Sequence, residues 1–149
     1  MITAADTNLI LNALSASENR GGELRQEAMR LLSNLDGYDW CGIYRLEGSD
    51  LELDEYVGEP TEHTRIPIGE GVCGTAVAEN SNQVVSDVRE LENYLSCSLD
   101  TRSEIVVLIH LDGEILGQID VDGYKVGTFK REDEHFLEKV AEVLARKWL

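Results

Sequence analysis

Apolar side chains recur at helical spacing in three stretches of the chain. Residues 4–16 carry Ile10, Ala13 and Leu14 in that rhythm, residues 24–35 repeat it through Leu24, Ala28, Leu31, Leu32 and Leu35, and residues 130–149 place Phe136, Val140, Val143, Leu144 and Trp148 on one face. Gly21 and Gly22 punctuate the space between the first two predicted helices. From residue 38 to residue 123 the pattern changes to that of strands. "DWCGIYRLE" and "DLELDEYVG" read as a hairpin turning at Gly48, Ser49 and Asp50. "TRIPIGEG" is a short extended piece ended by glycines, "VCGTAVAEN" a short helix, and "QVVSDV" a strand running into a loop that ends near Cys97. The clearest hairpin follows, with "SEIVVLIHL" and "EILGQIDVDG" flanking Asp112-Gly113, a dipeptide suited to a tight reverse turn. Its two strands are expected in the middle of the sheet. This order of elements predicts an α+β fold, an antiparallel sheet flanked by N- and C-terminal helices that cover one face. The length of 149 residues, without internal repeat, linker or low-complexity run, predicts a single domain over residues 1–149.

Charge narrows the functional classes. With 29 acidic against 13 basic residues the formal net charge is -16, which argues against a nucleic-acid partner, because phosphate binding draws most of its affinity from Lys and Arg. No stretch approaches the roughly 20 apolar residues of a membrane span. The first residues lack the basic head and cleavage site of a signal peptide, so a cytoplasmic location and no membrane partner are expected. Acidic residues are spread along the whole chain, as on a self-repelling surface that a high-salt cytoplasm screens; a halophilic source is the corresponding expectation. Three irregularly spaced cysteines fit a reducing compartment, where a disulfide is more often catalytic or redox-sensing than structural.

Chemistry concentrates in two thiols and three carboxyls. Cys73 stands in "IPIGEGVCGTAVAEN", behind Gly69 and Gly71 and directly before Gly74. The glycines suit a tight turn, and the start of the predicted helix favours a thiolate; a small buried core residue is the competing reading. Cys97 lies in a polar loop before a predicted central strand, whereas Cys41 sits in an apolar strand and reads as core. Asp120 and Asp122 share one face of their strand. The facing of Glu104 depends on register. A two-residue turn at Asp112-Gly113 pairs it with Val121 and aims it away, while a three-residue turn or one bulge sets it opposite Asp120 or Asp122. A solvated strand edge is the alternative for all three. Trp40 and Tyr44, an even number of residues apart in one strand, share a face, as a pocket wall or as core. The carboxylates could bind a hard cation together with His63 or His110, but nothing in the spacing is diagnostic, and neither metal nor cofactor is expected.

Taken in order, "DWCGIY", "TRIPIGEGVCGTA", "RSEIVV" and "LGQIDVDG" closely resemble the free methionine-(R)-sulfoxide reductases, a branch of the GAF fold, over residues 38–123. The resemblance implies that Cys97 attacks the sulfoxide sulfur of free methionine sulfoxide and becomes a sulfenic acid. Cys73 then closes a disulfide, which a thioredoxin-like dithiol reopens. It assigns Glu104, Asp120 and Asp122 to substrate binding and sulfoxide activation. If they converge they cannot all ionise at little cost, so one keeps a proton for the sulfoxide oxygen while others meet the substrate ammonium. Trp40 and Tyr44 would form an apolar wall for the S-methyl group, and the terminal helices suit a homodimer. Two departures stand out: His63 occupies a position where many members carry another cysteine, and the loop "LSCSLDTRSE" diverges around Cys97. Two rival readings share the fold, a non-enzymatic GAF sensor of a small ligand and a thiol redox sensor built on Cys73 and Cys97. The charge pattern carries its own expected outcome: the thermal unfolding midpoint rises as KCl is added, and a midpoint indifferent to salt removes the halophilic expectation.

Overall fold

The computed structural model describes residues 2–92, 94 and 99–149. In chain order it runs α1 (Ala4–Ala16), α2 (Gly21–Leu32), β1 (Trp40–Glu47), β2 (Asp50–Val57), β3 (Arg65–Pro67), α3 (Gly71–Glu79), β4 (Gln83–Val85), β5 (Ser103–Leu111), β6 (Glu114–Gly123) and α4 (Arg131–Arg146). The strands form one antiparallel sheet in the order β3-β2-β1-β6-β5-β4, so β3 and β4 are its edges and β2, β1, β6 and β5 its interior. Among the described residues no helix is long and apolar enough to cross a membrane.

Period-two alternation divides the interior strands between two cores. Cys41, Ile43, Ile105, Val107, Ile109, Ile119 and Val121 point to one face, where they pack with Leu14 of α1, Leu24 and Met29 of α2, and Phe136 and Val140 of α4. Trp40, Tyr44, Val106 and Leu108 point to the other, against Cys73, Ala76 and Val77 of α3. The helices therefore do not all cover one face, as the element order had suggested. The reason lies in α3 itself: a nine-residue helix with Val72, Cys73, Ala76 and Val77 buried has an apolar side that needs a partner, and the free face of the sheet supplies it.

Two predicted boundaries also move. Gly21 and Gly22 form the first turn of α2 instead of a spacer. Gly21 adopts φ +56° and donates its N–H to the Lys147 carbonyl at 2.8 Å, and a Cβ there would lie 3.5 Å from the backbone of Leu149. The glycine thus marks a close approach to the C-terminus. Arg25 secures the same junction, with its guanidinium 4.4 Å above the Trp148 ring and paired with Asp54 of β2 at 2.5 Å. In "QVVSDV" only Gln83–Val85 pairs as a strand, because the Asp87 side chain accepts from Arg89 N at 3.0 Å and starts a 3-10 turn over Val88–Glu90.

The β5/β6 hairpin decides which side chains meet. Its tip has the two-residue register, with Leu111 opposite Glu114 and His110 opposite Ile115, and with Asp112 and Gly113 at φ +53° and +82°. The register then shifts between Ile109 and His110, so that Ile109 faces Gly117 and Leu116 is the extra residue of a bulge. From there inward Glu104 is opposite Asp122, not Val121. Gly117 permits the bulge to sit tight against β1, since a Cβ at that position would fall 2.2 Å from the Tyr44 carbonyl oxygen. Gly117→Ala should therefore cost about 3 kcal/mol of stability. Gly113→Ala, in open space but left-handed, should cost only about 1 kcal/mol. Urea unfolding of both variants is the check, and equal losses would contradict the close approach at Gly117.

Candidate active site

The glycines around Cys73 are explained by backbone geometry. Gly69 and Gly71 adopt φ +95° and +64°, and Gly69 N donates to the Gly74 carbonyl at 2.8 Å while Gly74 N donates to Glu70 O at 2.9 Å. A Cβ on Gly74 would lie 2.5 Å from the Pro67 carbonyl oxygen, so only glycine lets α3 seat on this turn. Cys73 is thereby held in the first turn of α3, facing the sheet. A second tie comes from β6, where buried Gln118 donates Nε2 to the Cys73 carbonyl at 3.0 Å.

Beneath that turn the three predicted carboxyls converge. Glu104 and Asp122 are cross-strand partners, and Asp120 lies on the same face of β6 two residues away. All three are buried on interior strands, which removes the reading as a solvated edge. Cys73 Sγ donates to Asp120 Oδ2 at 3.4 Å and lies 3.9 Å from Glu104 Oε2. Thr101 Oγ1 donates to Asp122 Oδ2 at 3.3 Å. Burial pushes the Glu104 carboxyl well above the ordinary carboxylate range, and the nearby charges of Asp120 and Asp122 push it further. Asp122 is raised in the same way, by burial and then by Asp120, with the Thr101 hydrogen bond opposing the shift. These neighbours also qualify the expected influence of the helix terminus on Cys73. A terminus contributes at most about 1 kcal/mol at ordinary sites, and Cys73 is placed here as a hydrogen-bond donor to Asp120.

The aromatic pair borders this cluster from β1. Trp40 and Tyr44 are fully buried in the α3-side core, and each also holds the segment between β2 and β3: Trp40 Nε1 donates to Glu59 O at 2.9 Å and Tyr44 OH to His63 O at 2.8 Å. The Trp40 ring stacks on Tyr56 and covers Gly42, where a Cβ would be 2.4 Å from it. Cys41, one residue along, points to the opposite face; burial, followed by the Asp122 and Asp120 charges, pushes its thiol well up. His110 is exposed and pairs with Asn80 Oδ1 at 2.8 Å, away from the carboxyls. The predicted nucleophile Cys97 lies outside the described residues. Gln118 and Thr101 escaped sequence reading. Gln118 had a usable signal, since its even spacing from Asp120 and Asp122 places it on the same face; Thr101, which precedes β5, had none.

Residues 22–147 match the GAF domain model. The chain is 36% identical over 143 residues to the free methionine-R-sulfoxide reductase of Escherichia coli, spanning 95% of this chain and 86% of that one. The chain belongs to the free methionine-R-sulfoxide reductase family of GAF-domain proteins. Solved structures of the family agree in shape. The fRMsr of Staphylococcus aureus in its reduced form superposes with a TM-score of 0.88 at 33% identity, covering 96% of this chain and 95% of that one. The Neisseria meningitidis reductase, solved in complex with its substrate, gives 0.88 at 27% identity over 99% and 92%.

The raised Glu104 carboxyl has a stability consequence whose sign is fixed. A buried acid with a raised folded-state pKa binds more protons than the unfolded chain, so its contribution weakens as pH rises above the ordinary carboxylate range. Glu104→Gln cannot ionise and should gain stability relative to the parent as pH rises, by up to about 1.4 kcal/mol per pH unit until the raised pKa is passed. Urea unfolding at pH 5 and pH 8 measures this. A variant that loses ground at pH 8 would show that Glu104 is held ionised.

Proposed function

We propose that the chain, a single GAF domain over residues 1–149, reduces free L-methionine-(R)-sulfoxide to methionine through the thiols of Cys97 and Cys73. The observation that carries the proposal is the Cys73 thiol bonded at 3.4 Å to Asp120 within a buried carboxyl cluster, in a chain of this family. Cys97 attacks the sulfoxide sulfur as a thiolate. The sulfoxide oxygen is protonated by the cluster, for which Glu104 is suited because burial raises its carboxyl well above the ordinary carboxylate range. The hydroxyl passes from the methionine sulfur to the Cys97 sulfur as the S–O bond to methionine and the transient Cys97–methionine S–S bond break, so that methionine leaves and Cys97 is left as a sulfenic acid.

Cys73 then attacks the sulfenic sulfur. Asp120, already the acceptor of the Cys73 hydrogen bond, takes the thiol proton, and the hydroxyl leaves as water once protonated. The balance is one sulfoxide and two thiols consumed, with one thioether, one disulfide and one water formed. A thioredoxin-like dithiol returns the disulfide to thiols. Trp40 and Tyr44 supply the apolar wall for the S-methyl group, and the carboxyl oxygens of Asp120 and Asp122 the acceptors that receive the substrate ammonium. Cys41 takes no part, because it faces the other core. A cytoplasmic enzyme, either monomeric or paired as a homodimer through its terminal helices, completes the reading.

Racemic methionine sulfoxide incubated with the chain and dithiothreitol should lose its R epimer and release free methionine. Cys97→Ser should abolish turnover, and Cys73→Ser, supplied only with a thioredoxin-type dithiol, should release no more than one methionine per chain. Multiple turnover by Cys97→Ser would overturn the assignment.

A further inference from the structure

Cys73, Glu104 and Asp120 place three metal-ligating atoms within 4.8 Å of one another, all on buried side chains. On a tetrahedral zinc ion, with Zn–S about 2.3 Å and Zn–O about 2.0 Å, a thiolate sulfur and a carboxylate oxygen sit about 3.5 Å apart. Cys73 Sγ is 3.4 Å from Asp120 Oδ2 and 3.9 Å from Glu104 Oε2. The two sulfur–oxygen edges of the donor set are therefore close to what zinc requires before any rearrangement, and the two carboxyl oxygens lie within 4.8 Å of each other. An independent observation points the same way. Glu104, only 2% exposed, keeps Oε1 buried without a hydrogen-bond partner, and so does its cross-strand neighbour Asp122 at Oδ1. Buried acceptors of this kind are costly unless a proton or a cation satisfies them.

We propose that the reduced protein binds one zinc ion through Cys73 Sγ, Glu104 and Asp120, as an inhibitory ligand. The sulfur donor selects a borderline cation over magnesium or calcium, which favour all-oxygen shells. Three protein ligands leave one tetrahedral position for water, and Asp122 Oδ1 is available to accept a hydrogen bond from it. Binding replaces the thiol proton and any proton held on the two carboxyls, so zinc uptake releases protons. The inhibitory consequence, unlike the binding itself, rests on the proposed reductase reading. Zinc occupies the resolving thiol and two carboxyls, and oxidation of Cys73 to a disulfide removes one ligand and frees the ion.

The test is titration of the reduced full chain with zinc against a chromophoric chelator, under argon and after removal of the reductant. One zinc per chain is expected. Cys73→Ser, Glu104→Gln and Asp120→Asn should each weaken it by more than the roughly 10–100-fold that loss of an outer-shell partner costs, while Cys41→Ser and Cys97→Ser should retain it. Cobalt(II) added to the unsubstituted chain should give a sulfur-to-metal charge-transfer band, so the result does not depend on the folding of any one variant. Absence of both a zinc equivalent and that band overturns the proposal, as does zinc binding that survives Glu104→Gln and Asp120→Asn but is lost in Cys97→Ser. Sulfoxide turnover by the zinc-free chain, measured separately, reports on the reductase reading alone. Its absence alongside a zinc equivalent would sink that reading and leave the cation site standing.

Discussion

One residue of hairpin register underlies the arrangement of this molecule. A β5/β6 ladder that kept the two-residue register of its tip throughout would pair Glu104 with Val121, turning a carboxyl into the core beneath α1, α2 and α4 and leaving Asp120 and Asp122 without it. Placing Leu116 as an extra residue advances the pairing by one, so that Glu104 meets Asp122 and the α3-facing side receives all three acids. The same step lets Ile105, Val107 and Ile109 line up with Ile119 and Val121 in the other core. The hydrophobic core and the polar cluster are therefore consequences of one bulge. Burying a free carboxylate costs several kcal/mol, and losing the aliphatic run from the core would cost about 1.5–3 kcal/mol for each large side chain, so both faces hold the register in place.

The carboxyl cluster is the clearest conflict between stability and chemistry in the chain. Three buried acids close to a thiol are worse for folding than apolar side chains of similar volume would be, and the chain tolerates them by keeping Glu104 and Asp122 protonated to higher pH than an exposed carboxyl: burial first and neighbouring charge second raise both. That protonation gives the site a neutral acid at a pH where an exposed carboxyl is ionised. The surrounding scaffold is correspondingly stiff. Gln118 holds the Cys73 carbonyl from below, the seating of Gly74 on Pro67 holds the helix from the side, and Tyr44 and Trp40 hold the adjacent segment by its backbone.

Much of this was legible in the sequence because strand periodicity and turn chemistry are local. "SEIVVLIHL" and "EILGQIDVDG" form strands with the boundaries read from them, and α1 covers the predicted residues 4–16. What local pattern could not decide is the set of relations that depend on distant segments. Gly21 and Gly22 looked like punctuation because nothing nearby shows that Lys147 and Leu149 return to meet them. The placement of α3 opposite the other helices depends on which face of the sheet remains open, which no single helix encodes. For the candidate site, the family strings named the carboxyls, but only the bulge settles which way Glu104 points, and two residue spacings allowed opposite answers.

Cys41 and Cys73 show how far residue type is from function. Both are small, buried thiols, and Cys41 sits directly across β6 from the carboxyl pair, opposite Val121 between Asp120 and Asp122. It is nonetheless separated from the cluster by the sheet itself. An odd position on β1 points its sulfur among Ile43, Ile105 and the aliphatic side chains of the helices, where its nearest polar contact is the Tyr38 carbonyl at 3.9 Å. Burial and the carboxyl charges acting through the sheet both oppose its ionisation, so it is inert as a nucleophile. Cys73 reaches the same carboxyls from the other side because α3 lies across them, with a proton acceptor at 3.4 Å. A partner for Cys97 must approach from the α3 side of the sheet if it is to share that acceptor, and of the two described cysteines only Cys73 does so.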